Sequence, residues 1–326
     1  MKKYNVYGIG HALVDMEFRV DDSLLQQMEL QKGAMMLVDE AQQSLLLQKV
    51  GGAAKHRSCG GSASNTMIGL AQFGGSAFHS CKVADDETGR FFAADMQRNG
   101  VENSLAGSTY PGTTGKCLVL ITPDAERTMC TNLGISESFS VDNISEEHLA
   151  QAEYLYIEGY LVSAPSTCNA AVEAARMARK HGVKVAMTFS DVFMIKLFRE
   201  GMDEIIGDGL DLLFCNESEA LEYTGSDGID GAALELQKVT KQYGLTLGDK
   251  GAKIYNGSEQ FNLPGVPVKA IDSNGAGDLF AGTFLYGITH GMDFPQAGTL
   301  ACRASSVLVT QYGARLQPDQ AKKILS

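Results

Sequence analysis

The chain is short of cations, has no cysteine pair at metal-ligand spacing, and lacks a long apolar run near its start. Its 326 residues include 27 Lys and Arg against 39 Asp and Glu, and no basic run offsets the formal net charge of −12. Nucleic acid is not expected as a partner, because phosphate backbones are bound by clustered Lys and Arg. The opening MKKYNVYGIG is broken by Asn5, Gly8 and Gly10, so neither a signal peptide nor a membrane partner is expected.

Cysteine and histidine usage excludes two further classes of protein. The seven cysteines are scattered without a CxxC pair, and the six histidines include no HExxH. An odd number of cysteines in apolar surroundings predicts buried, reduced thiols in a cytoplasmic protein rather than a disulfide framework. A zinc site is not expected either.

Short apolar runs alternate with helical patterns along most of the chain. This alternation predicts an α/β fold, a doubly wound and mostly parallel sheet flanked by helices. Residues 16–38 and 104–133 depart from it, and their alternating polar and apolar positions predict strand pairs in a small β-sheet lid solvated on one face. We therefore expect a large α/β domain formed by residues 1–15, 39–103 and 134–326, with the lid inserted into it.

The stretch DSNGAGD, residues 272–278, comes directly before an apolar run with helical spacing. A helix start offers unpaired N–H groups and a positive dipole end, and Gly275, Ala276 and Gly277 are small enough to let an anion approach. Asp278 falls in the first helical turn, where accepting a hydroxyl proton is its expected role. A helix cap is the alternative, but the glycines and the upstream Asp favour a site.

Two further stretches fit a ligand site, and each also fits ordinary helix capping. In CGGSASN, Gly60 and Gly61 precede a helix whose first turn presents Asn65, an amide that can donate to and accept from a polyol. In NESE, Asn216 and Glu219 share a helix face after a buried strand, where they suit the water shell of Mg²⁺ on a nucleotide.

In the order and separation of these motifs, the sequence resembles the ribokinase/pfkB carbohydrate kinase family along nearly its whole length. The resemblance implies a ribokinase-like fold and the cofactors ATP and Mg²⁺, with K⁺ in several members. It implies that Asp278 is the base, that residues 275–277 form the anion hole for the γ-phosphate, and that Asn216 and Glu219 organise Mg²⁺.

The resemblance also assigns the remaining site residues. It implies that the ATP lies against four residues: Thr246, Gly248, Gly251 and Asn274. It implies that the sugar hydroxyls are held by Asp15, Gly60, Gly61 and Asn65, and that Asp272 helps to bind a monovalent cation.

Within the family, GHALVDMEF, GGSASN and YIEGYLV look closer to adenosine kinases than to fructokinases or ribokinase. On that interpretation Tyr160 lies near the purine and Arg127 stabilises the transferring phosphate. The ordinary alternatives are a core tyrosine and an exposed strand charge. His11 stands where the pattern has Asn, and Glu158, near the expected sugar end, is more typical of sugar kinases.

The sequence thus predicts a kinase that uses ATP and Mg²⁺ to phosphorylate the primary hydroxyl of a ribosyl substrate, with adenosine as the expected nucleoside. A sugar kinase acting on fructose, ribose or a keto-sugar acid is the alternative. A non-catalytic ligand sensor on the same fold is the second alternative. The expected assembly is a monomer or a homodimer formed through the lid.

Overall fold

The computed structural model describes residues 2–33, 35–52, 54, 56–105, 107, 109–124 and 126–326. Its strands are β1 Tyr4–Ile9, β2 Leu13–Arg19, β3 Met35–Leu37, β4 His56–Gly60, β5 Ala77–Ser80, β6 Val101–Asn103, β7 Thr114–Ile121, β8 Arg127–Gly134, β9 Ala152–Glu158, β10 Lys184–Thr188, β11 Leu212–Asn216, β12 Tyr243–Thr246, β13 Gly251–Tyr255 and β14 Gln260–Pro264.

The helices alternate with these strands along much of the chain. They are α1 Asp22–Gln27, α2 Glu40–Val50, α3 Ser62–Gln72, α4 Glu87–Arg98, α5 Glu146–Leu149, α6 Pro165–Lys180, α7 Val192–Ile206, α8 Glu217–Thr224, α9 Ile229–Leu236, α10 Ala276–Thr289, α11 Phe294–Leu308 and α12 Gln320–Leu325.

A nine-stranded sheet forms the centre of the large α/β unit, in the order β14-β13-β12-β11-β10-β9-β1-β5-β6. The strands from β12 to β6 run parallel, and β13 pairs antiparallel with both β12 and β14 at one edge. Apolar side chains of α6 to α9 cover one face, and those of α3, α4, α10 and α11 cover the other. The predicted doubly wound sheet is confirmed.

A second, five-stranded sheet has the order β3-β8-β7-β2-β4. We call it the small sheet. The strand pair expected in 104–133 is present as the antiparallel pair β7 and β8. The division of the chain into domains stays a prediction, and β4 joins the small sheet from outside the two segments assigned to it.

The strand pair expected within residues 16–38 is wrong. Helix α1 lies between β2 and β3, because Leu24, Leu25 and Met28 have helical rather than alternating spacing. The strand β2 instead pairs with β4 and β7, and β3 pairs with β8. All of these pairings join segments that are distant in the sequence.

The expectation that one face of the small sheet is solvated is also wrong. Its outer face is apolar and is covered by α1 and α2, through a cluster formed by Phe18, Leu25, Leu46, Leu118, Leu120 and Cys130. The other face turns toward the large sheet and forms one wall of a cleft.

Two global features bear on the sequence expectations. All seven cysteines are free thiols, and five of them are buried. Among the helices of the described residues, none has both the length and the apolarity needed to cross a bilayer. Location in the cytoplasm stays a prediction.

Candidate active site

A cleft of about 440 Å³ lies between the carboxyl ends of the parallel strands and the small sheet. This is where ligands bind in open α/β sheets. Most of the sequence-predicted site residues line it, namely His11, Asp15, Gly61, Asn65, Glu158, Tyr160, Asn216, Glu219, Thr246, Asn274, Gly275, Ala276, Gly277 and Asp278. Five others, Gly60, Arg127, Gly248, Gly251 and Asp272, are not among its lining residues.

The DSNGAGD turn delivers the start of α10 into the cleft. Gly275 caps the helix with a left-handed φ of +73°, and a Cβ there would lie 2.6 Å from Cβ of Ala314. At Gly277, by contrast, a Cβ would have no heavy atom of the described residues within 4 Å, apart from its chain neighbours and the nearby backbone of its own helix. The first glycine is required by the fold, whereas the second leaves open space at the positive end of the helix.

Asp278 lies in the first turn of α10, partly buried at the wall of the cleft. Its carboxylate accepts hydrogen bonds from Ser62 Oγ at 2.6 Å and Asn65 Nδ2 at 3.2 Å. Loss of hydration raises the pKa of Asp278 to about 6, and these two hydrogen bonds oppose the rise. The result is a carboxylate whose basicity suits proton transfer near neutral pH.

The hydrogen bonds to Asp278 come from α3, so the two motifs form one site. Helices α3 and α10 pack closely, since a Cβ on Gly282 would lie 2.4 Å from the carbonyl oxygen of Thr66. The Oδ1 atom of Asn65 is buried and has no partner within the described residues, which leaves it available to a substrate hydroxyl. Sequence reasoning missed Ser62, although it lies inside the GGSASN motif.

The two glycines before α3 allow the backbone of this turn to lie close to β2 and to the residues that precede it. A Cβ on Gly60 would lie 2.3 Å from Oδ1 of Asp15, and one on Gly61 would lie 2.2 Å from the carbonyl oxygen of His11. The Asp15 carboxylate thereby lies beside the turn and lines the cleft. Burial raises its pKa to about 6, which the positive charges of Arg315 and Arg127 partly offset.

Glu158 and His11 tie this turn to the large sheet. The Glu158 carboxylate is buried and accepts the backbone N–H of His11 at 3.2 Å and of Ala63 at 2.8 Å. Burial raises the pKa of Glu158 to about 7 and lowers that of His11 to about 4, so the imidazole is neutral. Since both Glu158 oxygens hold backbone amides, its presence is weak support for a sugar substrate.

Tyr160 lines the cleft beside His11. Its hydroxyl is 3.5 Å from the carbonyl oxygen of Ser190, and its backbone carbonyl lies 3.4 Å from Nε2 of His11. Burial raises the pKa of Tyr160, which keeps the phenol protonated. Tyr160 also packs against the core of the large sheet, and its stacking on a purine stays a prediction.

Asn216 and Glu219 form a capping box at the start of α8 and also line the cleft. Oε1 of Glu219 accepts Asn216 Nδ2 at 2.7 Å, and Oε2 accepts the Asn216 N–H at 3.0 Å. Burial raises the pKa of Glu219 to about 7. No group of three metal-ligating side chains occurs among the described residues. Mg²⁺ keeps most of its waters and commonly takes few protein ligands, so this pair fits a water-mediated role.

The residues assigned to ATP fall into two groups. Thr246 and Asn274 line the cleft, with Thr246 Oγ1 3.4 Å from the carbonyl oxygen of Cys215. Gly248 and Gly251 lie outside the lining, and both have positive φ. Gly248 lies in the connection between β12 and β13, and Gly251 is the first residue of β13. Their contribution to nucleotide binding stays a prediction.

Arg127 lies outside the cleft lining and is held by two carboxylates. It donates to Asp272 Oδ2 and to Glu17 Oε1, each at 2.9 Å, and its side chain is 11% exposed. Asp272 also accepts the N–H groups of Asn274 and Gly313. The alternative of an exposed strand charge is wrong. Contact of Arg127 with phosphate stays a prediction, and in this conformation Asp272 meets N–H donors at both oxygens.

The small sheet contributes an apolar wall that sequence reasoning missed. Alternate residues of β2, β3, β7 and β8 face the cleft. Two of them, Asp15 and Thr131, are polar, and the others are Leu13, Met35, Leu37, Cys117, Val119, Met129 and Leu133. The period of two in these strands was the signal available in the sequence. This period shows which residues of a strand share a face, but it does not show which part of the protein or which ligand that face contacts.

Comparison with known proteins identifies the family of this chain. The family model "pfkB family carbohydrate kinase" matches residues 34–321. A structure of adenosine kinase from Sinorhizobium meliloti is 34% identical, with 98% of each chain covered and a TM-score of 0.89. A probable sugar kinase from Rhizobium etli is 32% identical, with 99% of this chain and 98% of the other covered and a TM-score of 0.90.

A curated relative extends the comparison. Adenosine kinase from Schizophyllum commune is 24% identical over 346 residues, covering 97% of this chain and 98% of its own. The relatives together support an adenosine kinase-like branch. The chain therefore belongs to the pfkB family of carbohydrate kinases, enzymes that transfer a phosphoryl group to an alcohol of a sugar or nucleoside.

Proposed function

We propose that this protein uses ATP and Mg²⁺ to phosphorylate the primary hydroxyl of a ribosyl substrate, namely the 5′-hydroxyl of a nucleoside such as adenosine. The observation that carries the proposal is the meeting of the two motifs. Ser62 and Asn65 of one motif hydrogen-bond Asp278 of the other, at the start of a helix that opens into the cleft.

In this proposal Asp278 takes the proton of the acceptor hydroxyl while the hydroxyl oxygen attacks the γ-phosphorus of ATP and ADP leaves. The amides at the start of α10 stabilise the charge on the transferring group, and Gly277 leaves room for it. Asn65 and Asp15 orient the acceptor hydroxyls, so that attacking and leaving oxygens are in line.

Bound Mg²⁺ would neutralise charge on the ATP phosphates, with Asn216 and Glu219 holding its water shell. The protein itself supplies little positive charge here. Across the described residues the cleft is lined by the carboxylates of Asp15, Glu158, Asp191, Glu219 and Asp278, and by no Lys or Arg side chain. A carboxylate-lined cleft without cations disfavours an anionic acceptor, such as a keto-sugar acid.

The apolar wall of the small sheet supports a nucleoside over a small sugar. A ribose or fructose presents hydroxyls on all sides and gains little from thioether and aliphatic side chains. A purine buries a flat apolar surface against them, and that binding energy can be used to position the ribose.

The test is a panel of acceptors in a coupled assay of ADP release: adenosine, ribose, fructose and a keto-sugar acid. We expect kcat/KM for adenosine to exceed that for free ribose by on the order of 10²-fold or more, because ribose lacks the base that contacts the apolar wall. The Asp278→Asn protein, run in parallel, sets the background of ATP hydrolysis.

The other outcomes select the alternatives. The likeness to a probable sugar kinase from Rhizobium etli supports a sugar as the second candidate acceptor. A higher kcat/KM for fructose or ribose than for adenosine would replace the nucleoside. Binding of ATP without ADP release on any acceptor would identify a ligand sensor instead.

A further inference from the structure

A segment after α11, residues 313–315, contacts both turns of the active site without lining the cleft. Gly313 donates its N–H to Asp272 Oδ2 at 2.9 Å, at the start of the DSNGAGD turn. Ala314 packs against Gly275, where a Cβ would lie 2.6 Å from its own Cβ. Two successive residues thus support the anion-binding turn from outside the site.

The third residue, Arg315, reaches the other turn. Its Nη1 lies 2.8 Å from Oδ2 of Asp95, and its Nη2 donates to the backbone carbonyl of Cys59 and to the Cys59 Sγ. The two ion-paired side chains are only 16% and 13% exposed. Asp95 also meets the exposed Arg98 at 3.0 Å.

This ion pair holds the peptide groups of Cys59 from both sides. The Cys59 N–H donates to Asp95 Oδ2 at 3.0 Å, while its carbonyl accepts from Arg315. Cys59 directly precedes Gly60, where a Cβ would lie only 2.3 Å from Asp15 Oδ1. A small displacement of Cys59 therefore moves the glycine turn relative to the Asp15 carboxylate.

We propose that Arg315 is a positioning residue that fixes the Gly60–Gly61 turn relative to the DSNGAGD turn, so that the acceptor held by one turn meets the base on the other. The inference rests on the proposed function of the cleft. A planar guanidinium can hold a carboxylate and a carbonyl at once in a fixed geometry, which a Lys ammonium does not reproduce.

The test separates positioning from stability with three variants. Arg315→Met leaves Asp95 buried with its main partner gone, whereas the double variant Arg315→Met/Asp95→Asn removes both charges and should recover thermal stability. Arg315→Lys keeps the positive charge but lacks the planar guanidinium that contacts Asp95 and Cys59 together. Arg303→Met, an exposed arginine on α11, is the matched control.

We expect kcat/KM to fall about 10²-fold in Arg315→Met, as for a misplacement of about 1 Å. The double variant should regain Tm without regaining kcat/KM. The kcat/KM of Arg315→Lys should lie between that of the double variant and that of the wild type. Amide hydrogen exchange should rise in residues 59–65 and 273–278 of the Arg315→Met and double variants. The Arg303→Met protein should match the wild type in every measurement.

Recovery of both Tm and kcat/KM in the double variant would show that Arg315 only neutralises Asp95, and this result would overturn the proposal. Should the wild type turn over none of the acceptors, the proposed function fails by itself. The exchange measurement then still decides the positioning role, since unchanged protection in both turns contradicts it.

Discussion

The two walls of the cleft differ in chemistry. One wall, which we call the helix wall, is the carboxyl edge of the large sheet with the starts of α3 and α10, and it presents Asp278, Asn65 and backbone amides. The other wall is the small sheet, whose cleft-facing residues include Met35, Val119, Met129 and Leu133. The small sheet also presents two polar side chains, Asp15 of β2 and Thr131 of β8. The base and the anion-binding amides are thus separated from a mostly apolar surface that can contact and orient the acceptor.

This division indicates that catalysis and acceptor choice reside on different elements. Substitutions on the helix wall should lower kcat for every acceptor, because they alter groups at the reacting atoms. Substitutions of the apolar residues on the small sheet should change the ranking of acceptors and leave the chemical step alone. The following predictions test that separation.

The largest effect is expected at the base. Asp278→Asn keeps the size of the side chain but removes proton acceptance, so kcat should fall by about 10²–10⁴-fold with little change in ATP affinity. Steady-state kinetics and ATP titration measure the two quantities. Asp227→Asn, at an exposed position, is the matched control, and near-normal turnover by Asp278→Asn would refute the base assignment.

The two glycines of the DSNGAGD turn should respond differently. Gly277→Val places a side chain in the open space at the start of α10, so kcat should fall by about 10²-fold while Tm stays near that of the wild type. Gly275→Ala introduces a Cβ at φ +73° against Ala314, so it should lower Tm. Equal losses of Tm in both variants would contradict an open anion site at Gly277.

A smaller effect is expected on the apolar wall. Met129→Gln exchanges a thioether for an amide of similar length, and it should raise KM for adenosine about 10-fold while the rate with free ribose is unchanged. Met36→Gln is the matched control, because Met36 packs against the covered outer face and should affect stability rather than KM. A parallel loss for both acceptors would contradict the separation of the two walls.

The smallest expected effect is a shift in pH dependence. Since the pKa of Asp278 is raised to about 6 by burial, kcat/KM should fall as pH drops below about 6, because the protonated carboxyl cannot accept a proton. Ser62→Ala removes a hydrogen bond that lowers this pKa, so the acid limb should move to higher pH. Ser258→Ala, in an exposed turn, should leave the profile in place, and an unshifted limb in Ser62→Ala would contradict the assignment.

The helix wall was predictable from the sequence because the structure of each helix start depends on residues that are neighbours in the chain. A glycine-rich turn followed by an Asp and an apolar run predicts the start of a helix from neighbouring residues alone. The capping pair Asn216 and Glu219 predicts a helix start in the same way. The alternation of strands and helices likewise predicted the large sheet, whose parallel pairing follows from the connections.

The small sheet was predictable only in part, because its pairing is non-local. The sequence does not show that β2 lies between β4 and β7. For the same reason the ion pairs of Arg127 and Arg315 escaped prediction. Each joins residues that only the folded chain brings together. Helix α1 is different, because the helical spacing of Leu24, Leu25 and Met28 was a local signal that the predicted strand pair overlooked.

The most direct test of the central claim is the position of the transferred phosphate. Adenosine is incubated with ATP and Mg²⁺, and the product is located by ³¹P NMR. The account predicts adenosine 5′-monophosphate from the wild type and a rate reduced by about 10²–10⁴-fold from Asp278→Asn. ATP broken down only to ADP and inorganic phosphate, with no acceptor alcohol modified, would contradict it.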